Sequence, residues 1–175
     1  MEKYLELAKL DKKSLRNVPT PCLDDHQLCP EDFETTGKLS PVCARIVLKS
    51  LYLARMNRTD ILWTVNVLAR YVTRCNVACD KRLHRLICYL NCTSDYVLQC
   101  FVGDAAGDCC IALFCDASFA GDLRDSKSTS GVYMAIVGPN TFVPITWICK
   151  KQGAVSHSSS AVSYTHLRAH GTRGN

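Results

Sequence analysis

Apolar residues recur along this chain with two different periods, and the period changes near Val97. Val42, Arg45, Ile46, Lys49, Leu53 and Met56 recur at helical spacing to about residue 56. Ser40-Pro41 supplies a capping hydroxyl and a proline at the first helical position. A second helix is predicted over about 60–73, with Ile61, Val65, Leu68 and Val72 on one face. A third is predicted over about 79–91, with Leu83, Leu86, Ile87 and Leu90 inward and Lys81, Arg82, His84 and Arg85 largely outward. Their short links favour antiparallel neighbours. Before this block, residues 1–16 predict a short helix carrying Leu5, Leu7 and Leu10, and prolines make 17–37 a loop.

Past Val97 the pattern is that of strands. Residues 99–102 form a candidate strand, and 103–107 a turn. Residues 111–116 read as a buried strand, 123–130 as a polar loop and 132–137 as a second strand. Gly138-Pro139-Asn140 makes a hairpin turn, and 141–149 a further strand. Pro144 inside that last run calls for an edge position or a bulge. The expectation is an α+β chain, a helical block followed by three antiparallel strands. Three strands alone leave an open sheet edge, and hence predict poor solubility.

Composition narrows the reading. The hydrophobic share is 47% and the charged share 21%, which is ordinary for a folded protein of 175 residues. Net charge is only +5, but it is unevenly spread. Residues 41–92 carry nine Lys/Arg against Asp60 and Asp80, whereas residues 1–40 carry six against eight acids. A basic centre suits a phosphate backbone, and equally a solvated helical face. No secretory leader pattern opens the chain, and no apolar run approaches the ~18 residues of a membrane span. The twelve cysteines are therefore read as reduced thiols of an intracellular protein, cytoplasm and nucleus being indistinguishable.

The sharpest candidate for chemistry is Asp116, at the end of an apolar strand where a carboxylate can hold a metal or simply cap a turn. Asp122 and Asp125 follow in a polar loop, where solvation is the plainer role. Lys127 and Ser128, with Thr129-Ser130-Gly131, offer groups to a phosphate. Lys150 and Lys151 do the same beside Trp147, which can stack on a base or sit in the core. Arg70, Arg74, Lys81, Arg82 and Arg85 are the candidate phosphate contacts of the helical block. Cys75, Cys79, His84 and Cys88 have tolerable zinc spacing, but a helix without glycines is a poor setting for it. His157 lies among serines with no orienting acid, so capping hydroxyls are the better reading there.

Seven segments, in order, resemble the Pol polyprotein of copia-type LTR retrotransposons. Residues 50–61 (SLYLARMNRTDI) resemble LxYLxxxTRPDI, 65–71 (VNVLARY) resemble AVNxLSRY, and 81–90 (KRLHRLICYL) resemble LKRILRYL. Residues 93–96 (TSDY) resemble GTxDYG, 115–122 (CDASFAGD) resemble SDADWAGD, and 125–131 (DSKSTSG) resemble DRKSTSG. Residues 145–152 (ITWICKKQ) with Ser156 to Ser159 resemble ISWxSKKQ…VALSS.

The resemblance implies four regions. These are an N-terminal segment over 1–39, the helical end of reverse transcriptase over 40–100, the start of a ribonuclease H-like domain over 108–160, and an unrelated, disordered tail over 161–175. It implies a parent enzyme that makes DNA from RNA and cuts the RNA strand of RNA–DNA hybrids. In such an enzyme, clustered carboxylates hold two Mg2+ ions about 3.5–4 Å apart. Asp116 matches the first carboxylate. Ser118 stands where many relatives have another Asp, and Ser160-Ala161-Val162-Ser163-Tyr164 replaces the family's TEAEY with its metal-binding Glu. The resemblance thus implies a C-terminally truncated, catalytically incomplete piece of Pol, with RNA–DNA hybrid or other nucleic acid, and the rest of Pol, as partners and no membrane. The alternative is a non-enzymatic basic nucleic-acid-binding module.

Overall fold

The computed structural model describes residues 2–118 and 127–153. These fall into two compact units, divided after Leu98. Asp122, Asp125, His157 and the tail lie outside the described residues.

The first unit is helical. Helix α1 (Glu2–Ala8) is shorter than its apolar spacing predicts, because Lys9 adopts a left-handed φ of 53° and the Leu10 amide turns back to the Leu5 carbonyl at 2.9 Å. A four-residue helix, α2 (Glu31–Glu34), interrupts the expected loop. Helix α3 (Ser40–Met56) has the bounds its periodicity predicts, but Leu39 stands at the cap position, Ser40 is the first helical residue, and no side chain caps the helix. A 3-10 turn over Thr59–Ile61 leads into α4 (Leu62–Ala69), which ends four residues early. There the poor helix formers Val72 and Thr73 give way to tight turns, Tyr71 to Leu68 and Arg74 to Tyr71. Helix α5 (Val77–Cys92) starts two residues sooner than its apolar face shows. Its cap is Asn76, whose side-chain oxygen accepts from the Cys79 amide at 3.0 Å.

Cys43, Val47, Ile61, Val65, Leu68, Ala78, Leu83 and Leu86 are fully buried and form the core of this unit. A clamp closes it. Arg58, 5% exposed, grips Asp60 with two nitrogens at 3.0 and 2.8 Å. The same guanidinium donates to the Thr93 carbonyl at 2.9 Å and to its hydroxyl at 2.6 Å, and packs against the rings of Tyr89 and Tyr96. The Arg-Thr-Asp segment between α3 and α4 thereby holds the far end of α5. The hydrogen bond to Asp60 raises Arg58 above its usual range. Burial pushes the Asp60 carboxyl up, but its bonds to Arg58 and Tyr89 outweigh burial and leave it low.

The second unit is one sheet in the order β1-β2-β3, all antiparallel: β1 (Cys110–Ser118), β2 (Thr129–Gly138) and β3 (Thr141–Lys151). Phe114 pairs with Tyr133 and Tyr133 with Trp147. The register slips between Met134 and Ala135, so that Pro144 faces Ala135 at a bulge on the outer strand β3, where a missing amide is tolerated. Two sequence expectations fail here. Residues 99–102 are not a strand; Phe101 makes a single bridge to Phe142. The Thr141 hydroxyl then takes the Gly103 and Asp104 amides at 3.1 and 3.0 Å and turns the chain away. Nor is 111–116 buried, for Ile111, Leu113 and Phe114 are 70%, 54% and 54% exposed. An apolar strand is buried only when both of its faces are covered.

Candidate nucleic-acid interface

Helix α5 brings Lys81, Arg82 and Arg85 to one side; Lys81 is exposed as its spacing predicts, Arg85 is half-buried, and Arg82 turns inward against that expectation. Arg82 is buried at 6% exposure and pairs with Asp25, its guanidinium 5.7 Å from the Phe33 ring. Lys81 bonds Asp32 at 2.6 Å. Arg85 donates to the Thr20 carbonyl at 2.9 Å and to the Thr20 hydroxyl at 3.1 Å. All three cations are engaged by residues 20–33, whose sequence alone gives no indication that they lie along α5. The hydrogen bond from Lys81 holds the Asp32 carboxyl below its usual range. Arg70 and Arg74, just past α4, are exposed.

A further basic surface was not singled out by sequence reasoning. The outer face of α3 exposes Arg45, Lys49 and Arg55 together with Leu48, Tyr52 and Met56. No Asp or Glu occurs anywhere in α3. Listing α3's cations by helical position, beside the absence of acids, would have found it.

In the second unit Asp116 is exposed near the end of β1, opposite Gly131. Strand alternation puts it on the face that carries Phe114, Tyr133 and Trp147. One carboxylate oxygen accepts from the Ala117 amide at 2.8 Å. That is a local bond within β1. Among the described residues no group of three or more His, Cys, Asp or Glu can hold a metal ion. The described residues therefore do not fit a two-magnesium centre.

Ser128 is fully buried, its carbonyl taking the Gln152 amide at 2.8 Å, so its hydroxyl is not at the surface as a phosphate contact requires. Lys127 and Lys151 are half-buried and Lys150 is exposed. Trp147 is half-buried and stacks on Tyr133, ring centres 6.1 Å apart.

The four residues of the zinc spacing do not converge. Cys75 and Cys79 gather with Cys43 in a buried thiol cluster, where the hydrogen bond from Cys75 draws Cys79 down to about 7 against the effect of burial. His84 instead lies 2.9 Å from the Tyr4 hydroxyl and 3.6 Å from the Cys88 sulfur. Burial, and then Arg16, holds His84 below its usual range. All twelve cysteines are thiols. Among the described residues no helix is long and apolar enough to cross a membrane.

Comparison with known proteins gives no matching family model and no matching solved structure. Curated relatives do match. The chain is 29% identical over 171 residues to the "Retrovirus-related Pol polyprotein from transposon TNT 1-94" of Nicotiana tabacum, covering 93% of this chain and 12% of the relative. It is 29% identical over 159 residues to that from transposon RE2 of Arabidopsis thaliana, covering 90% of this chain and 10% of the relative. It is also 30% identical over 117 residues to "Secreted RxLR effector protein 161" of Plasmopara viticola, 67% of this chain and 78% of that protein. The chain thus spans about a tenth of the length of the Pol polyproteins it matches.

Proposed function

Because the chain belongs to the retrovirus-related Pol polyproteins of transposons, we propose that it is a copia-type piece joining the end of reverse transcriptase to the start of a ribonuclease H-like domain, and that by itself it holds nucleic acid rather than cutting it. The observation that carries this reading is the exposed Asp116 near the end of β1, in an antiparallel three-stranded sheet that follows a helical unit. A ribonuclease H-like start requires that order, with its first carboxylate at that strand end.

Cleavage of an RNA–DNA hybrid by paired Mg2+ needs several carboxylates, because one acid cannot offset two dications. After Asp125 this sequence has no Asp or Glu. Further metal-binding acids would come from outside these 175 residues, with the rest of Pol as the natural source. Holding a hybrid needs only cations and flat rings. The exposed Arg45, Lys49, Arg55 and Tyr52 on α3, Arg70 and Arg74 beyond α4, and Lys150 on β3 supply these. The twelve thiols suit a reducing, intracellular compartment.

The test is binding of a short RNA–DNA hybrid across a salt series, with cleavage followed in Mg2+ for the wild type and Asp116→Asn. We expect affinity to fall steeply with salt, as counterion release requires, and no cleavage by either protein. Chelator-sensitive cleavage by the wild type that the variant loses would overturn the binding-only reading.

A further inference from the structure

Residues 20–34 contain five acids and no Lys or Arg. They lie along α5, which is basic, and answer its cations in turn: Thr20 to Arg85, Asp25 to Arg82, Asp32 to Lys81. We propose that this acidic segment is an intramolecular cover, which occupies the phosphate-binding cations of α5 and which a polyanion must displace before it can use them. The proposal rests on the nucleic-acid reading above and adds to it a regulation of the α5 cations.

Three observations point to a cover rather than a permanent part of the core. First, the contacts are those a phosphate backbone would make. Carboxylate oxygens sit on a guanidinium and an ammonium, and a carbonyl and a hydroxyl on the second guanidinium, so oxygens can be exchanged for oxygens without new geometry. Second, little apolar surface fastens the segment. Of its fifteen residues only Leu28 is buried, with Pro21, Cys22, Leu23 and Phe33 half-buried, and its regular structure is a 3-10 turn over Asp25–Gln27 and the four residues of α2.

Third, the segment is tied at both ends, so it can lift without being lost. On one side Leu15 is buried, and the Cys92 thiol reaches the Asn17 side chain at 3.2 Å. On the other, the Val77 amide donates to the Thr35 carbonyl and the Gly37 amide to the Cys75 carbonyl, both at 3.0 Å. Gly37 lies against the start of α5 so closely that a Cβ there would stand 2.6 Å from the Asn76 carbonyl oxygen. A tethered cover acts at high effective concentration, so a competing polyanion sees only the open fraction of the site.

The test pairs affinity with hydrogen exchange on the full chain, using a short RNA–DNA hybrid at fixed low salt. Asp25→Asn with Asp32→Asn should bind about 5- to 10-fold tighter than the wild type, as expected if the site is open roughly a tenth to a fifth of the time. Glu31→Gln with Glu34→Gln removes the same charge from exposed positions and should gain clearly less. In the wild type, adding hybrid should speed amide exchange over residues 20–34.

Equal gains in the two double variants, or hybrid binding with unchanged exchange over 20–34, would overturn the cover while leaving the nucleic-acid reading intact. Binding by none of the proteins would overturn both. If the loss of Asp25 unfolds the chain, Asp32→Asn alone carries the affinity test. Its expected gain is about 2- to 3-fold, half the effect on a logarithmic scale, and no gain would count against the cover. The exchange measurement needs no variant.

Discussion

The two units solve the same problem with unequal success. The helical unit covers most of its apolar surface: one set of neighbours suffices for the stripe of each helix, and nine core positions reach zero exposure, while Leu48, Tyr52 and Met56 stay out on α3. The sheet has two faces and two edges to satisfy. Ile111, Leu113 and Ile148 are exposed, as is Phe114 on the opposite face. Apolar content alone therefore does not make a core. What decides is how many surfaces an element must have covered, and a strand needs more than a helix.

The comparison is open to direct attack. Each unit has its own tryptophan, Trp63 in the first and Trp147 in the second, so variants with the other one replaced by Phe report each unfolding separately. The largest effect is expected from Leu83→Ala, which should lower the stability of the helical unit by about 3 kcal/mol in urea denaturation. Leu113→Ala in the sheet should cost under about 1 kcal/mol, since that side chain has little burial to lose. Equal costs would erase the distinction.

Close behind comes Arg58→Met. It should cost the helical unit about 3 kcal/mol, because Asp60 and the Thr93 carbonyl lose their partner in a half-buried site. A midpoint shift under about 1 kcal/mol would reduce the clamp to an ordinary surface pair. Asn76→Ala should cost about 1 kcal/mol, the usual loss on removing a cap, seen in the same denaturation curves.

Acidification gives a graded test. Asp60 has a lower pKa folded than unfolded, so the unfolded chain binds protons first as pH drops through the carboxylate range. Its contribution is complete above the unfolded value and is lost as pH falls through the folded one. His84 is also lowered, so it resists protonation when folded and loses its contribution as pH falls from about 6.5 downward. Denaturation at pH 7.5 and 5.5 should show a less stable helical unit at the lower pH, with hydrogen exchange in α1 rising first as Tyr4 loses neutral His84. Exchange in α1 that ignores pH would contradict this. The smallest change is expected from Ile111→Thr with Leu113→Thr. These should leave the sheet folded and reduce self-association in sedimentation velocity, which would assign that association to the exposed apolar face and not to the open edge.

Periodicity was enough to locate α3 and the three strands, and Pro144 announced an edge position or a bulge in β3, which has both. Three things escaped it for physical reasons. The burial of β1 cannot be told from its apolar run, because burial depends on what lies over each face. The direction of Arg82 cannot be told from helical spacing, because a partner 57 residues earlier draws it inward. The cap of α5 is polar and lies before the first apolar position, so a search by hydrophobic spacing begins too late. Asp116 was legible as a strand-end acid, but its neighbourhood was not, since carboxylates converge in space and not along the chain.

Asn76 joins two jobs in one side chain: its oxygen starts α5 and its nitrogen holds the Phe33 carbonyl. Fraying of the start of α5 would therefore also loosen the hold on α2. The start of α5 is in this sense a latch and not a loose end.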